Sequence, residues 1–296
     1  MHSLVSDVII PALGIGALYG LVGVSFNLVF APAGTFNFAQ GQIVMLGGLL
    51  ALSLYQQRGW PVLLALVAVL AIGGAVALAE ERIAVWPALR RDPRGIGWVL
   101  STLAVFTIIQ NVAIVEWGTT PRSVNAFPGL SIARRSIAGL EIAPYFIGML
   151  VIAAAVTAGL HLFFTKSPTG RAITAVSQDR DAAALRGINV RRVISLGFIM
   201  GGALAAATGM LAAPLTLATV TVGLTFTFRG FTAAALGGMG DNAGALVAGL
   251  TLGLIEQLTQ RYWQGGYVNL VILVVLLVLL LLRPAGLFGQ AIERRV

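Results

Sequence analysis

From Val8 to Gln57 the chain runs 50 residues without a charged side chain. Six more uncharged runs follow: Trp60 to Ala79, Gly95 to Val115, Ile142 to Phe164, Val193 to Phe228, Asn242 to Ile255 and Tyr267 to Leu282. Charged residues make up 10% of the sequence and mean hydropathy is +0.92, whereas soluble domains carry about 25% charge. So few charges cannot solvate the outside of a core that apolar, so the solvent for most of this surface is a bilayer. A crossing helix takes about 20 apolar residues. Val8 to Gln57 therefore holds two crossings, broken at "APAGTFN" by Pro32 and Gly34. Val193 to Phe228, with Pro214 in its middle, holds one crossing and the start of another. The expected fold is an all-α, polytopic membrane helix bundle of eight to ten segments, forming one domain over residues 1–296.

Orientation follows from the basic residues, which favour the cytoplasmic side. Thirteen of the 19 lie in three places: Arg82 to Arg94, Lys166 to Arg192, and the tail from Arg283. Those three segments share the cytoplasmic face, which puts the C-terminus inside and leaves the side of the N-terminus open. Parity then requires Leu215 to Ile255 to cross twice or to enter and leave one face. Its halves, on either side of "LGGMGDNAGA", read as short helices joined by a glycine turn. "MHSLVSDVII" lacks the basic n-region of a secretory signal peptide, so none is expected.

Several function classes lack the residues they need. Zero cysteines and two histidines leave no metal site. No G-x-x-x-x-G-K-[ST] occurs, so the chain carries no ATPase of its own. The excess of basic charge belongs to loops and gives no support to nucleic-acid binding. No span carries a string of ionisable residues, which argues against a proton relay. Glu256, beside Gln257 and Thr259, reads as a residue snorkelling to the interface from the end of a short segment.

Two constellations remain. "GTFNFAQGQIVMLGG" sets Asn37, Gln40 and Gln42 around Gly41 inside an apolar region, and "STLAVFTIIQNVAIVEWG" does the same with Gln110 and Asn111. Buried amides need partners, so Asn37, Gln40, Gly41, Gln110 and Asn111 either bond helices together or line a polar pathway. The second is "SPTGRAITAVSQDRDAAALRGINV", a charged, helix-prone stretch between two apolar runs. Ser167 can cap its start with Pro168 at the first helical position, Asp179 or Asp181 can cap a second piece, and Gly187 can close it. Residues 165–192 are thus a solvated loop or a docking element that offers Ala172, Ala175, Ala182 and Ala183 to a soluble partner. The glycine pairs, especially in "LGGMGDNAGALVAGL", suit close packing against another helix bundle.

The motifs "FNFAQGQIVMLGG", "STLAVFTIIQN", "GRAITAVSQDRDAAALRGINVRRV", "FTAAALGGMGDNAGALVAGLTLGLIE" and "VILVVLLVLLLLRPAGLFG" resemble, in this order, the H-type permease of branched-chain amino acid ABC importers (the Liv type). The likeness runs from about Ile10 to Gly289. The family pattern is "NFAHG", and Gln40 departs from it, which removes any role there that needs an imidazole. The resemblance implies a non-catalytic permease in the bacterial inner membrane that passes amino acids, with branched-chain substrates foremost. A related permease for urea or short amides is the alternative, and a stand-alone secondary carrier or channel a third. The implied partners are an M-type permease in a heterodimer, two cytoplasmic ATPases that hold the ATP and magnesium, an extracytoplasmic binding protein, and membrane lipid. The matching coupling-loop residues are Gly170, Arg171, Ala175, Asp179, Ala182, Ala183, Gly187 and Ile188.

Overall fold

The computed structural model describes residues 5–91, 95–137, 140–263, 265–283 and 286–288. Arg94, part of the closing "RPAGLFG" and the basic tail that orients the C-terminus lie outside them. The described residues are mostly helical. In chain order they form α1 Ile10–Ala33, α2 Gln40–Ala51, α3 Val62–Glu80, α4 Trp86–Arg91, α5 Gly97–Trp117, α6 Pro144–Lys166, α7 Pro168–Gln178 and α8 Arg180–Leu185. They continue with α9 Val190–Thr216, α10 Val222–Gly237, α11 Asn242–Tyr262 and α12 Val268–Leu282. Wider π turns extend three of these: Val5–Ile9 leads into α1, Leu52–Gln57 prolongs α2, and Glu81–Val85 joins α3 to α4. One small hairpin interrupts the helices. Strands β1 Arg135–Ile137 and β2 Leu140–Ile142 pair antiparallel, Ser136 opposite Glu141. That hairpin was not foreseen, because strands this short show no period.

The helix ends fall where the punctuation residues put them. Helix α1 stops one residue after Pro32, and Gly34 takes the left-handed φ of 58° that reverses the chain. Pro214 sits in the last turn of α9. Beyond it Leu217 has φ 63°, an unusual left-handed geometry for a leucine. The expected glycine turn is present: Gly238 and Gly240 have φ of 101° and 92°, and Asp241 Oδ1 accepts from the Ala243 and Gly244 amides to start α11.

Among the described residues, five helices are long and apolar enough to cross a membrane: Val5–Ala33, Val62–Arg91, Gly97–Trp117, Pro144–Lys166 and Val190–Thr216. The expected count of eight to ten is not reached on that measure. Helices α2, α10 and α12 have 12, 16 and 15 residues, short of the ~20 that span a bilayer. Helix α11 is longer, but Glu256, Gln257, Gln260 and Arg261 fill its last turns.

Two compact units share the chain. One comprises residues 1–24, 126–158 and 229–296, and the other 25–125 and 159–228. In the second, α9 packs along α3 and α2, and backbones touch because glycines face each other. A Cβ on Gly202 would meet the Gly73 carbonyl oxygen at 2.5 Å. A cluster of Met45, Leu49, Leu52, Ala113, Val124, Ala213 and Val220 closes one end of this unit. There Arg122 and Ala218 exchange backbone hydrogen bonds, and Trp117 Nε1 donates to Ser53 Oγ at 2.6 Å.

In the first unit α11 packs on the first half of α1. Gly249 lies on the Gly16 and Gly20 backbone, Gly253 on Ala12 and Gly16, and Gly237 on Gly244. This corrects one expectation. Gly237, Gly244 and Gly249 of "LGGMGDNAGALVAGL" are taken up by contacts within their own unit and form no free face for another bundle, while Gly240 stays open in the turn. The outward surface is aliphatic instead: Leu63, Val67, Ile108, Val115 and Leu281 are exposed while Ser25, Asn27 and Thr208 are buried. An aliphatic exterior is what a lipid solvent selects.

Candidate functional site

The charged loop is the most completely built feature. Ser167 Oγ accepts from the Gly170 amide at 2.9 Å with Pro168 at the first helical position, so α7 begins as the sequence dictates. Asp179, and not Asp181, caps α8: its Oδ1 accepts from the Asp181 and Ala182 amides, both at 2.9 Å. Gly187 closes α8 at φ 83°, with the Ile188 amide donating back to the Ala183 carbonyl at 3.1 Å. Asn189 Oδ1 then accepts from the Arg192 amide to open α9. These side-chain caps and the glycine turn make the segment a rigid bracket.

Its two short helices fold back onto the spans that flank it. Gly170 lies on the Phe163 carbonyl, where no Cβ would fit. Ile173, Val176, Ala183 and Val193 form a buried cluster, with Phe163, Phe164, Ala175 and Ile188 packed around it. The Arg180 guanidinium reaches back over Gly34 at the end of α1. The expected small-residue face is therefore split. Ala183 is buried and Ala175 half-buried against the cluster, while Ala182 is open to solvent. Ala172 also packs at the cluster's edge. What the loop shows outward is Leu185, 90% exposed, and Arg171, Arg180 and Arg186 are exposed on the same loop. Sequence reasoning passed over Leu185, because a leucine in a helical stretch reads as core.

The amide cluster folds into an enclosed network. Asn37 and Gln40 are 0% exposed. Asn37 Nδ2 donates to Glu80 Oε2 at 2.7 Å and to Gln40 Oε1 at 3.2 Å, and Gln40 Nε2 donates to the Gly201 carbonyl at 2.9 Å. Gly41 packs on Gly223 and Thr227 of α10. Of the two readings open to these residues, the geometry matches interhelical bonding. The bonding follows from position: α2 begins pressed between α9, α3 and the start of α10, and the Asn37 and Gln40 amides bond to Glu80 and Gly201 there. Gln110 is half-buried, and Asn111 is exposed with its Nδ2 tied to its own helix at Thr107 O, 2.8 Å away. The two pairs are thus not brought to one surface. Gln42 is different again: buried against Gly223, its amide has no hydrogen-bond partner among the described residues.

Of two buried carboxyl sites, one escaped the sequence reading and the other was read as an interfacial residue. Glu80 ends α3 and Glu81 follows it, at 3% and 1% exposure, and Ser195 Oγ donates to Glu81 Oε2 at 3.0 Å. "EER" after an apolar run looks like an interface, but both acids turn inward where α3 passes into the π turn at Glu81. Glu256 is a correction. It does not snorkel: α11 runs on to Tyr262, and Glu256 is buried inside the first unit. Arg229 Nη2 lies 3.1 Å from Glu256 Oε1, Tyr19 Oη donates to Glu256 Oε2 at 2.9 Å, and Gln260 Nε2 donates to Oε1 at 3.2 Å. The Arg229 guanidinium also stacks over the Tyr19 ring at 5.0 Å. Among the described residues no group of histidines and acids could hold a metal.

Comparison with known proteins places this architecture. A high-affinity branched-chain amino acid transport system permease protein, BraD, from Pseudomonas aeruginosa is 30% identical over 97% of each chain. LivH of Escherichia coli K12, of the same description, is 28% identical over 95% of this chain and 94% of its own. A probable permease protein LivH of Methanocaldococcus jannaschii is 26% identical over 91% and 88%. Among solved structures, PsaBC from Streptococcus pneumoniae in complex with Fab aligns with a TM-score of 0.50 at 13% identity. It covers 90% of this chain and 89% of that one, a likeness of fold alone. The model of the family described as the permease component of branched-chain amino acid transport systems matches residues 8–281, and the chain belongs to that family of multi-pass membrane permeases.

Proposed function

We propose that the chain is the H-type half of an ATP-driven importer for leucine, isoleucine and valine, and that the bracket of α7 and α8 is where a separate ATPase pushes. Leu185 carries this reading. A leucine held 90% exposed by two caps and a glycine turn is an apolar knob aimed at a soluble partner, and the exposed arginines of the same loop suit an acidic one. The bracket is packed to the end of α6 and the start of α9, with Arg180 over the end of α1. A thrust on α8 therefore reaches three spans through rigid contacts. ATP and magnesium sit in the partner ATPases. The pathway forms with an M-type permease, an extracytoplasmic binding protein delivers the substrate, and the basic segments face the cytoplasm.

The test is uptake of labelled leucine into proteoliposomes holding this chain, the M-type permease, both ATPases and the binding protein. Leu185→Asp is expected to lower ATP-driven uptake about tenfold or more, the effect of losing a central anchor, with the chain still folded and membrane-bound. Unchanged uptake by that variant removes the docking role. Uptake of urea or short amides in place of leucine moves the chain to the other solute class, and uptake without ATP makes it a carrier.

A further inference from the structure

A groove of about 560 Å³ opens between the end of α3 and the start of α9. Arg82, Arg191 and Arg192 line one end together with Asn189. All three arginines are exposed. The ion pairs among the described residues are Asp7 with Arg134 and Arg229 with Glu256, so none neutralises this trio. The acid next to Arg82 in the chain is turned away: Glu81 is buried and accepts from Ser195 Oγ. Arg191 is braced by stacking on Trp86 at 5.0 Å, which holds one guanidinium in place and leaves its edge free to donate.

The other end of the groove is aliphatic. Leu78 lies one turn before Arg82 on α3, and Leu196 and Ile199 lie one and two turns after Arg192 on α9. Both helices belong to runs long and apolar enough to span a membrane, Val62–Arg91 and Val190–Thr216. The groove thus grades from three cations at the helix ends to leucine and isoleucine one to two turns, ~5–10 Å, deeper along the spans. A free phosphate would use the cations and leave the aliphatic wall wet. A ligand that satisfies both ends carries an anionic phosphate and an alkyl chain.

We infer that the groove formed by Arg82, Arg191 and Arg192 over Leu78, Leu196 and Ile199 is a binding site for an acidic phospholipid, headgroup on the guanidiniums and acyl chain along the aliphatic wall. Basic pockets between helices at the membrane surface hold such headgroups by the same chemistry. The site is independent of the transport reading, because it depends only on these helix ends meeting a membrane surface.

The experiment takes the full chain, with whatever subunits copurify, into nanodiscs of phosphatidylcholine with or without phosphatidylglycerol. Retained lipid is read by native mass spectrometry as phosphatidylglycerol is titrated. Wild type is expected to retain phosphatidylglycerol over phosphatidylcholine. Arg82→Gln and Arg192→Gln should each weaken its apparent affinity roughly fivefold, the effect of one surface cation. Arg82→Lys should bind as wild type, which separates charge from folding, and Arg135→Gln on the hairpin is the control. Equal retention of the two lipids, or glutamine variants that bind as wild type, overturns the site. Displacement by millimolar inorganic phosphate that itself stays bound shows a soluble anion site and overturns it too. Exclusion of lipid whenever subunits copurify shows that a protein covers the groove, and this also overturns the lipid site.

Discussion

At the scale of single residues, the buried pair Arg229–Glu256 shows how poorly a charge can be judged from its neighbours in sequence. Each lies at or within an apolar stretch and neither has its partner within one helical turn, yet α10 and α11 bring them to 3.1 Å with Tyr19 as a third member. Two charges taken out of water are costly, and their mutual attraction with the tyrosine and Gln260 hydrogen bonds offsets much of that cost without exceeding it by far. Removing one partner is therefore worse than removing both. Arg229→Leu is expected to destabilise the permease by about 3 kcal/mol, while Arg229→Leu with Glu256→Leu recovers most of the loss. Chemical unfolding in detergent measures it. A double variant as unstable as the single one would mean that the pair does more than neutralise itself.

Among elements, the α7–α8 bracket separates what holds the loop together from what it presents. Both caps and the closing glycine were readable from residue type, because each acts on amides two or three positions away. Which alanine faced outward was not readable, since α8 is short and its buried side depends on where α7 and α9 lie. Ala183 turns in against Ile173, Val176 and Val193, so it belongs to the packing and Leu185 to the surface. Ala183→Trp should overpack the cluster and cost about 1–3 kcal/mol, seen as lower thermal stability and faster proteolysis at Arg180 and Arg186. Leu185→Asp should leave both measurements unchanged while lowering ATP-driven uptake. Equal thermal stability for Ala183→Trp and wild type would show that the cluster yields and that the bracket is softer than its caps suggest.

For the molecule as a whole, the surface that remains after folding decides what it can bind. The glycine-lined helices are spent inside each unit, and the exposed large side chains of α3, α5, α6 and α12 are mostly leucine, isoleucine and valine. In the proposed heterodimer a second permease would dock by shape on aliphatic faces, where lipid competes on nearly equal terms. Such a dimer is expected to be sensitive to delipidation. Copurification of an M-type permease with this chain from native membranes should persist in mild detergent and fail in harsh detergent. Full ATP-driven uptake with this chain as the sole permease would replace the heterodimer by a homodimer. The sequence alone determined the membrane setting, the breaks at Pro32–Gly34 and at the 238–241 turn, the capped bracket and the family, because each depends on local composition or on residues a few positions apart. Tertiary structure alone decided that Glu80, Glu81 and Glu256 are buried, that Asn37 and Gln40 bond helices together, and that three arginines share one groove. In a chain so uniformly apolar, hydrophobic periodicity no longer marks which helix face is inside. Burial is set by small residues meeting across distant helices, and only the folded arrangement reveals those partners.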